Sequence, residues 1–193
     1  MKWNEAQEWE RKWWGDCANT FNEEAKQYVY ARHMGLDEYK TNWYGRCGWD
    51  FGNMGIMDIG SGPASILLKS KAKRRIVVDP CRFPAWVSAR YFECGIEFWQ
   101  MSGELIFQSE HVDLALIYNC LQHAKSPSII IDNVRRIAKE LRIFEWIDTG
   151  TSEGHLHNLT EENLNKWIGG EGKVSEINEY PCKGKAYFGV FPS

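Results

Sequence analysis

Three clusters of residues in this chain have the types and spacing to do chemistry. The first is Asp58-Ile59-Gly60-Ser61-Gly62-Pro63, where the apolar pair Ile56-Met57 runs into an acid and then a glycine-rich turn. Such a turn can adopt left-handed backbone conformations and lets a ligand approach its main-chain N–H groups. The second is Asp79, which ends another short apolar run, Arg75-Ile76-Val77-Val78, and is followed by Pro80. It lies about 20 residues beyond the first glycine, where a nucleotide-binding βαβ unit places the carboxylate that accepts both ribose hydroxyls. The third is a set of imidazoles: His123 in Asn119-Cys120-Leu121-Gln122-His123, and His155 and His157 flanking Leu156. Each can take a proton near neutral pH, either as a catalytic base or in holding a substrate. Alternating histidines can also bind metal, but no third ligand at suitable spacing accompanies them, and no metal is expected.

These clusters need a scaffold that brings them together, and the patterning supplies one. Gly55 to Ser65 reads as buried strand, tight loop and the start of a helix through Ile66-Leu67-Leu68. Pro84 suits the first turn of a helix to Cys94 with Gly95 as its cap, and Glu97 to Gln100 reads as a third strand. Val112 to Tyr118 is almost unbroken apolar sequence, the mark of a strand buried on both faces. Ser126-Pro127 opens a helix whose apolar stripe is Ile130, Val134, Ile137 and Leu141, and Arg142 to Ile147 is a fifth strand. Thr160-Glu161-Glu162 begins a short helix ending at Gly169-Gly170. Lys173 to Tyr180 and Lys185 to Phe191 then form an antiparallel hairpin. Upstream, Ala6, Trp9 and Trp13 sit at helical spacing in Trp3 to Trp14, stopped by Gly15, and Thr20-x-x-Glu23 is a capping box for a second helix to Met34-Gly35. Asn42 to Asn53 has no period and reads as a loop. In an open α/β sheet ligands bind beyond the carboxyl ends of the strands, so one crevice would collect Asp58, Gly60, Asp79, Ser102, Tyr118-Asn119 and Asp148.

Asp58, the glycines, Pro63, Asp79 and the later Tyr118-Asn119-Cys120-Leu121-Gln122-His123 together resemble the class I S-adenosylmethionine-dependent methyltransferases, in particular the small-molecule branch. The resemblance runs from about Gly55 to Ile147. Ala64 stands where the family's third glycine is usual, and Lys139-Glu140-Leu141-Arg142 replaces its Pro-Gly-Gly turn, which implies a tighter or differently shaped connection into the fifth strand. The fold implied is α/β, a Rossmann-like seven-stranded, mostly parallel sheet with a C-terminal antiparallel hairpin and helices on both faces. Residues 55–193 would be the methyltransferase core, and residues 1–54 an N-terminal pair of helices and loop, acting as lid or substrate cap, as core packing, or as the face of a homodimer. The cofactor implied is S-adenosyl-L-methionine, leaving as S-adenosyl-L-homocysteine. It would be held by Asp58 (ordering the glycine loop, or reaching the ammonium of the methionine part through water), Gly60, Ser61, Gly62, Asp79, Pro80, Ser102, Gly103, Tyr118 and Asn119. His123, His155 and His157 are the catalytic candidates, and Tyr44 and Arg46, just upstream of the first strand, the substrate-binding ones. The activity implied is methyl transfer to an oxygen or nitrogen of a small molecule. Action on a protein or nucleic acid, and an inactive cofactor-binding protein of the same fold, are the alternatives.

Composition narrows the classes further. At 193 residues, with 44% hydrophobic and 25% charged residues, the chain suits one domain with a continuous core. A net charge of −3 gives no general electrostatic footprint for nucleic acid. The sequence after the fourth strand also lacks the Asn/Asp-Pro-Pro-aromatic motif of amino-group enzymes acting on flipped bases. A nicotinamide-dependent oxidoreductase would share the glycine turn, but usually has an apolar residue at the position of Asp58 and a further substrate domain. No apolar run approaches the ~20 residues of a membrane span and no signal peptide precedes the first helix. The six cysteines are scattered without a C-x-x-C, so reduced thiols and a cytoplasmic location are expected.

Overall fold

The computed structural model describes residues 3–15, 20–40, 47–106 and 109–193. In chain order the elements are α1 (Trp3–Trp14), α2 (Thr20–His33), β1 (Glu38–Lys40), β2 (Cys47–Asp50), β3 (Gly55–Ile59), β4 (Ser70–Lys71), β5 (Arg74–Val78), α3 (Ala85–Glu93), β6 (Glu97–Trp99), β7 (Val112–Tyr118), α4 (Pro127–Ile137), β8 (Ala138–Trp146), α5 (Glu161–Ile168), β9 (Lys173–Glu179) and β10 (Cys182–Pro192).

Seven strands form one sheet in the order β6-β5-β3-β7-β8-β10-β9. The first five are parallel, and β10 inserts antiparallel between β8 and β9. The centre is dictated by β7, which is buried at every position except Asp113. Each fully buried Leu or Ile contributes roughly 1.5–3 kcal/mol, so this run holds a central place against any local preference. Asp113 sets its register against β3, accepting from Gly55 N–H at 2.8 Å.

Alternation along the strands builds two cores. Met57, Ile59, Ile76, Ala115, Ile117 and Ile143 face α4 and α5, which contribute Ile131, Val134, Leu164 and Ile168. Ile56, Val77, Leu114, Leu116 and Phe144 face α2 and α3, which contribute Tyr30, Val87 and Tyr91, with Met34 just beyond α2. The Tyr30 ring stacks on Phe144 at 4.5 Å, so α2 is part of the core. By contrast, the only buried residue of α1 is Ala6.

Three local expectations are corrected. The stretch after the glycine turn is not a helix of several turns: Ile66–Lys69 makes one 3-10 turn, and Ser70–Lys71 then pairs with β2. Strand hydrogen bonds to Trp49 and Asp50 override the helix preference of Ile-Leu-Leu. Residues 47–50, read as loop, pair with β1 and β4 in a three-stranded side sheet anchored by the buried Trp49. Leu141, read as the end of the α4 stripe, lies in β8. The helix stops at Ile137 because Ala138 already pairs with Val112, so the connection is tighter than a glycine turn.

Candidate functional site

The glycine turn is held by side chains on every side. Gly60 N–H donates to Val78 O at 2.8 Å, turning the chain sharply at the end of β3. Gly60 has φ +71°, and a Cβ there would stand 2.6 Å from Cys120 Sγ, so neither conformation nor space permits a side chain. Gly62 N–H donates to Asp79 Oδ2 at 2.9 Å, and Cys81 N–H donates to Oδ1 of the same carboxylate at 2.8 Å. On the far side Tyr91 donates to Gly62 O at 2.8 Å and accepts from Ser65 N–H at 3.0 Å.

Asp58 lies beneath this turn with no exposed surface. Its Oδ2 accepts from Ser65 Oγ and from Tyr118 OH at 2.6 Å, while Tyr118 OH accepts from Ile66 N–H at 3.1 Å. Burial pushes the Asp58 carboxyl up to about 7, against the two hydroxyl donors that lower it. Asp79 is pushed up to about 6, again by burial and against the Cys81 and Gly62 N–H donors. Asp58 and Tyr118 therefore order the loop from below.

Above the strand ends is a cavity of about 450 Å³, within the range of small-molecule sites. Of the residues expected to hold a cofactor, Gly60, Gly62, Asp79, Pro80, Ser102, Gly103 and Asn119 line it. Asp58, Ser61 and Tyr118 are buried outside the lining. Ser102 Oγ donates to Glu104, whose other oxygen accepts from Ser126 N–H at 2.8 Å, so the serine offers a ligand its lone pairs rather than its proton. Asn119 has a positive φ of 51°, uncommon for a non-glycine residue, at the mouth of β7. Tyr44 and Arg46 lie outside the described residues.

Two of the three histidines share this cavity. His123 closes a 3-10 turn, Leu121–His123, and its ring meets His155 edge-on at 4.8 Å. His157 is turned away: its Nε2 bonds Ala124 O at 2.9 Å, and it lines a neighbouring groove with Lys125 and Leu156. Burial and the charge of His123 lower the His155 pKa. For His123 burial acts downward, but hydrogen bonding and charge from Glu10, with the Gly154 carbonyl and Glu145, raise it overall. Among the described residues no three His, Cys, Asp or Glu side chains are grouped as a metal site.

The roof of the cavity comes from α1, through Trp3, Trp9, Glu10, Trp13 and Trp14. Trp9 stacks on Trp13 at 5.4 Å, and the Trp14 ring comes within 3.3 Å of where a Gly62 Cβ would be. Sequence reasoning did not single out Glu10 or Glu145. Glu145 is fully buried on β8, and its Oε1 accepts from Cys120 and Leu121 N–H, both at 3.0 Å. Burial pushes its carboxyl up to about 7. One acid inside the apolar run Ile143-Phe144-Glu145-Trp146-Ile147 was the available signal, since buried acids occur where they are hydrogen-bonded.

The residues present suit a nucleoside-type sulfonium cofactor. The glycine turn, a carboxylate at the end of β5 and the Ser102-Gly103 loop open onto one space. No protein-family model matches the sequence, and no curated protein matches it. Solved structures do. The N-methyltransferase NodS from Bradyrhizobium japonicum WM9, in complex with S-adenosyl-L-homocysteine, superposes with a TM-score of 0.60 at 14% identity, covering 93% of this chain and 90% of that one. The 1,6-didemethyltoxoflavin-N1-methyltransferase of Burkholderia thailandensis gives 0.58 at 13%, covering 92% and 79%. Magnesium protoporphyrin IX methyltransferase of Synechocystis PCC 6803, with bound S-adenosylmethionine, gives 0.56 at 11%, covering 88% and 79%. The chain thus has the fold of the class I S-adenosylmethionine-dependent methyltransferases.

Proposed function

We propose that the protein transfers a methyl group from S-adenosylmethionine to an oxygen or nitrogen of a small, flat molecule. The observation that carries this reading is the convergence on one cavity of the glycine turn, Asp79, the Ser102-Gly103 loop and His123. When bound, the cofactor supplies an electrophilic methyl group on a sulfonium that is already a good leaving group. The protein's own task is then alignment, exclusion of water and, for a protonated acceptor, removal of one proton. Gly60 and Gly62 would border the cofactor, Asp79 would offer a carboxylate to its ribose hydroxyls, and Ser102 and Gly103 would lie towards its adenine end. The indoles of Trp9, Trp13 and Trp14 form an aromatic wall suited to a planar acceptor.

On this reading α1 is the lid. It contributes little to the core but covers the site, where it would keep water from the reacting groups. Isothermal calorimetry tests the assignment: S-adenosylmethionine and S-adenosylhomocysteine should each bind one to one, and NAD should not. Binding of NAD without adenosylmethionine would overturn it.

A further inference from the structure

One contact joins the roof of the cavity to its floor. Glu10, on α1, places Oε1 2.9 Å from His123 Nδ1, and the Gly154 carbonyl lies 2.9 Å from the same nitrogen. Two oxygens facing one ring nitrogen require that nitrogen to carry the proton, because an unprotonated Nδ1 would oppose both lone pairs. The neutral ring therefore keeps its lone pair on Nε2, where the Gln122 side-chain N–H₂ donates to it at 3.3 Å, a contact the acceptor's O–H or N–H must displace. The side chains of His123 and Glu10 are only 19% and 13% exposed, so water screens the pair weakly.

We propose that Glu10 is the positioning residue for His123: docking of α1 seats a carboxylate on Nδ1 and so prepares Nε2 to take the acceptor's proton. The inference rests on the methyl-transfer reading and deepens it, because the helix that covers the acceptor also completes its base. In the proton step the acceptor's O–H or N–H bond breaks and its electron pair stays on the acceptor atom. The proton joins the Nε2 lone pair, and the imidazolium is held between the Glu10 carboxylate and the Gly154 carbonyl. No other reagent is consumed. The acceptors that need this step hold a proton on the nucleophile at neutral pH, such as a phenol or a ring N–H. A tertiary amine or thioether does not need it.

Among the described residues, the other titratable groups acting on His123 are His155 from the loop after β8, Glu145 from β8 and Asp79 from the end of β5, with Cys120 lining the same cavity. His155 is held towards its neutral form by burial and by the charge of His123, against the pull of the Glu10 charge.

The test is a side-chain 15N NMR titration of the full chain without cofactor, for wild type and Glu10→Gln. Wild-type His123 should show the Nδ1–H tautomer. Its titration midpoint should fall by about 1 pH unit or more in Glu10→Gln, a tenfold loss of proton affinity expected for removal of a charge in contact. With a phenolic acceptor, the acidic limb of the kcat/KM profile should move to lower pH by the same amount, and Glu10→Asp should restore it in part. An unchanged midpoint, or the Nε2–H tautomer in wild type, would overturn the proposal. The Gly154 carbonyl also holds the Nδ1–H tautomer, so the role of Glu10 is judged by the midpoint and by its partial recovery in Glu10→Asp, whose absence would overturn the proposal. Failure of wild type to bind S-adenosylhomocysteine by calorimetry would instead remove the methyl-transfer reading, with the Glu10–His123 coupling still judged by the NMR result.

Discussion

Replacing Asp58 with asparagine should change how the stability of the ligand-free protein depends on pH. In the folded chain burial holds this carboxyl at about 7, whereas in the unfolded chain it returns to its ordinary value of 3.8. Between those values the native state keeps a proton that the unfolded state has lost, so stability falls as pH rises. Each pH unit in that window costs about 1.36 kcal/mol. From about pH 5 to pH 7 the contribution of Asp58 is therefore a loss of roughly 2–3 kcal/mol. Glu145 at about 7 and Asp79 at about 6 act in the same direction. Asp58→Asn removes one of these slopes while keeping an oxygen for Ser65 and Tyr118. Its own cost is the amide N–H₂ group set where Oδ1 finds no partner, roughly 1–3 kcal/mol and independent of pH. Urea unfolding of both proteins at several pH values from about 5 to 8 would measure this. The variant should be the less stable near pH 5, with the gap closing by roughly 2–3 kcal/mol towards pH 8. Parallel stability curves would refute the reasoning, because they would mean that Asp58 titrates alike in the folded and unfolded chains.

Gly60→Ala should destabilise the fold by roughly 2–5 kcal/mol, from the positive φ and the clash with Cys120, and should abolish S-adenosylhomocysteine binding in calorimetry. Asp79→Ala should weaken that binding by roughly 1.5–3 kcal/mol, since it removes both the ribose acceptor and the partner of Gly62 N–H; unchanged affinity would exclude the role. Tyr91→Phe unpairs Ser65 N–H and Gly62 O and should lower stability to urea by roughly 1–3 kcal/mol. Removing residues 1–15 should leave a folded protein that still binds S-adenosylhomocysteine but has lost turnover; unfolding of the truncated chain would contradict a lid.

Much of the scaffold was legible because its signals are local. The apolar run of β7, the proline-led start of α4 and the Thr160 and Gly169 caps of α5 each say what they form without reference to a distant partner. The errors lie where a partner decides. Ile66–Lys69 has good helix formers but is drawn into a single turn by the strand bonds of Ser70 and Lys71 to β2, which no short-range pattern could announce. Leu141 keeps helical spacing with Ile137, yet the ladder begun at Ala138 claims it for the sheet.

The site divides in the same way. Glycines before an apolar helix-forming run and an acid at a strand end are short-range facts, and from them the sequence alone determines a turn at Gly60, a carboxylate at Asp79 and an open, mostly parallel sheet to carry both. Only the tertiary structure decides which way the acids face. Asp58 turns under the loop to Tyr118 and Ser65, while Asp79 rises to the cavity and ties Gly62. It likewise brings Glu10 to His123 across 113 positions of sequence, turns His157 away, and buries Glu145 beneath Cys120. Pairings of this kind depend on how helices and loops pack onto the sheet, and packing is set by the summed shape of the whole core, which no local pattern of residues encodes.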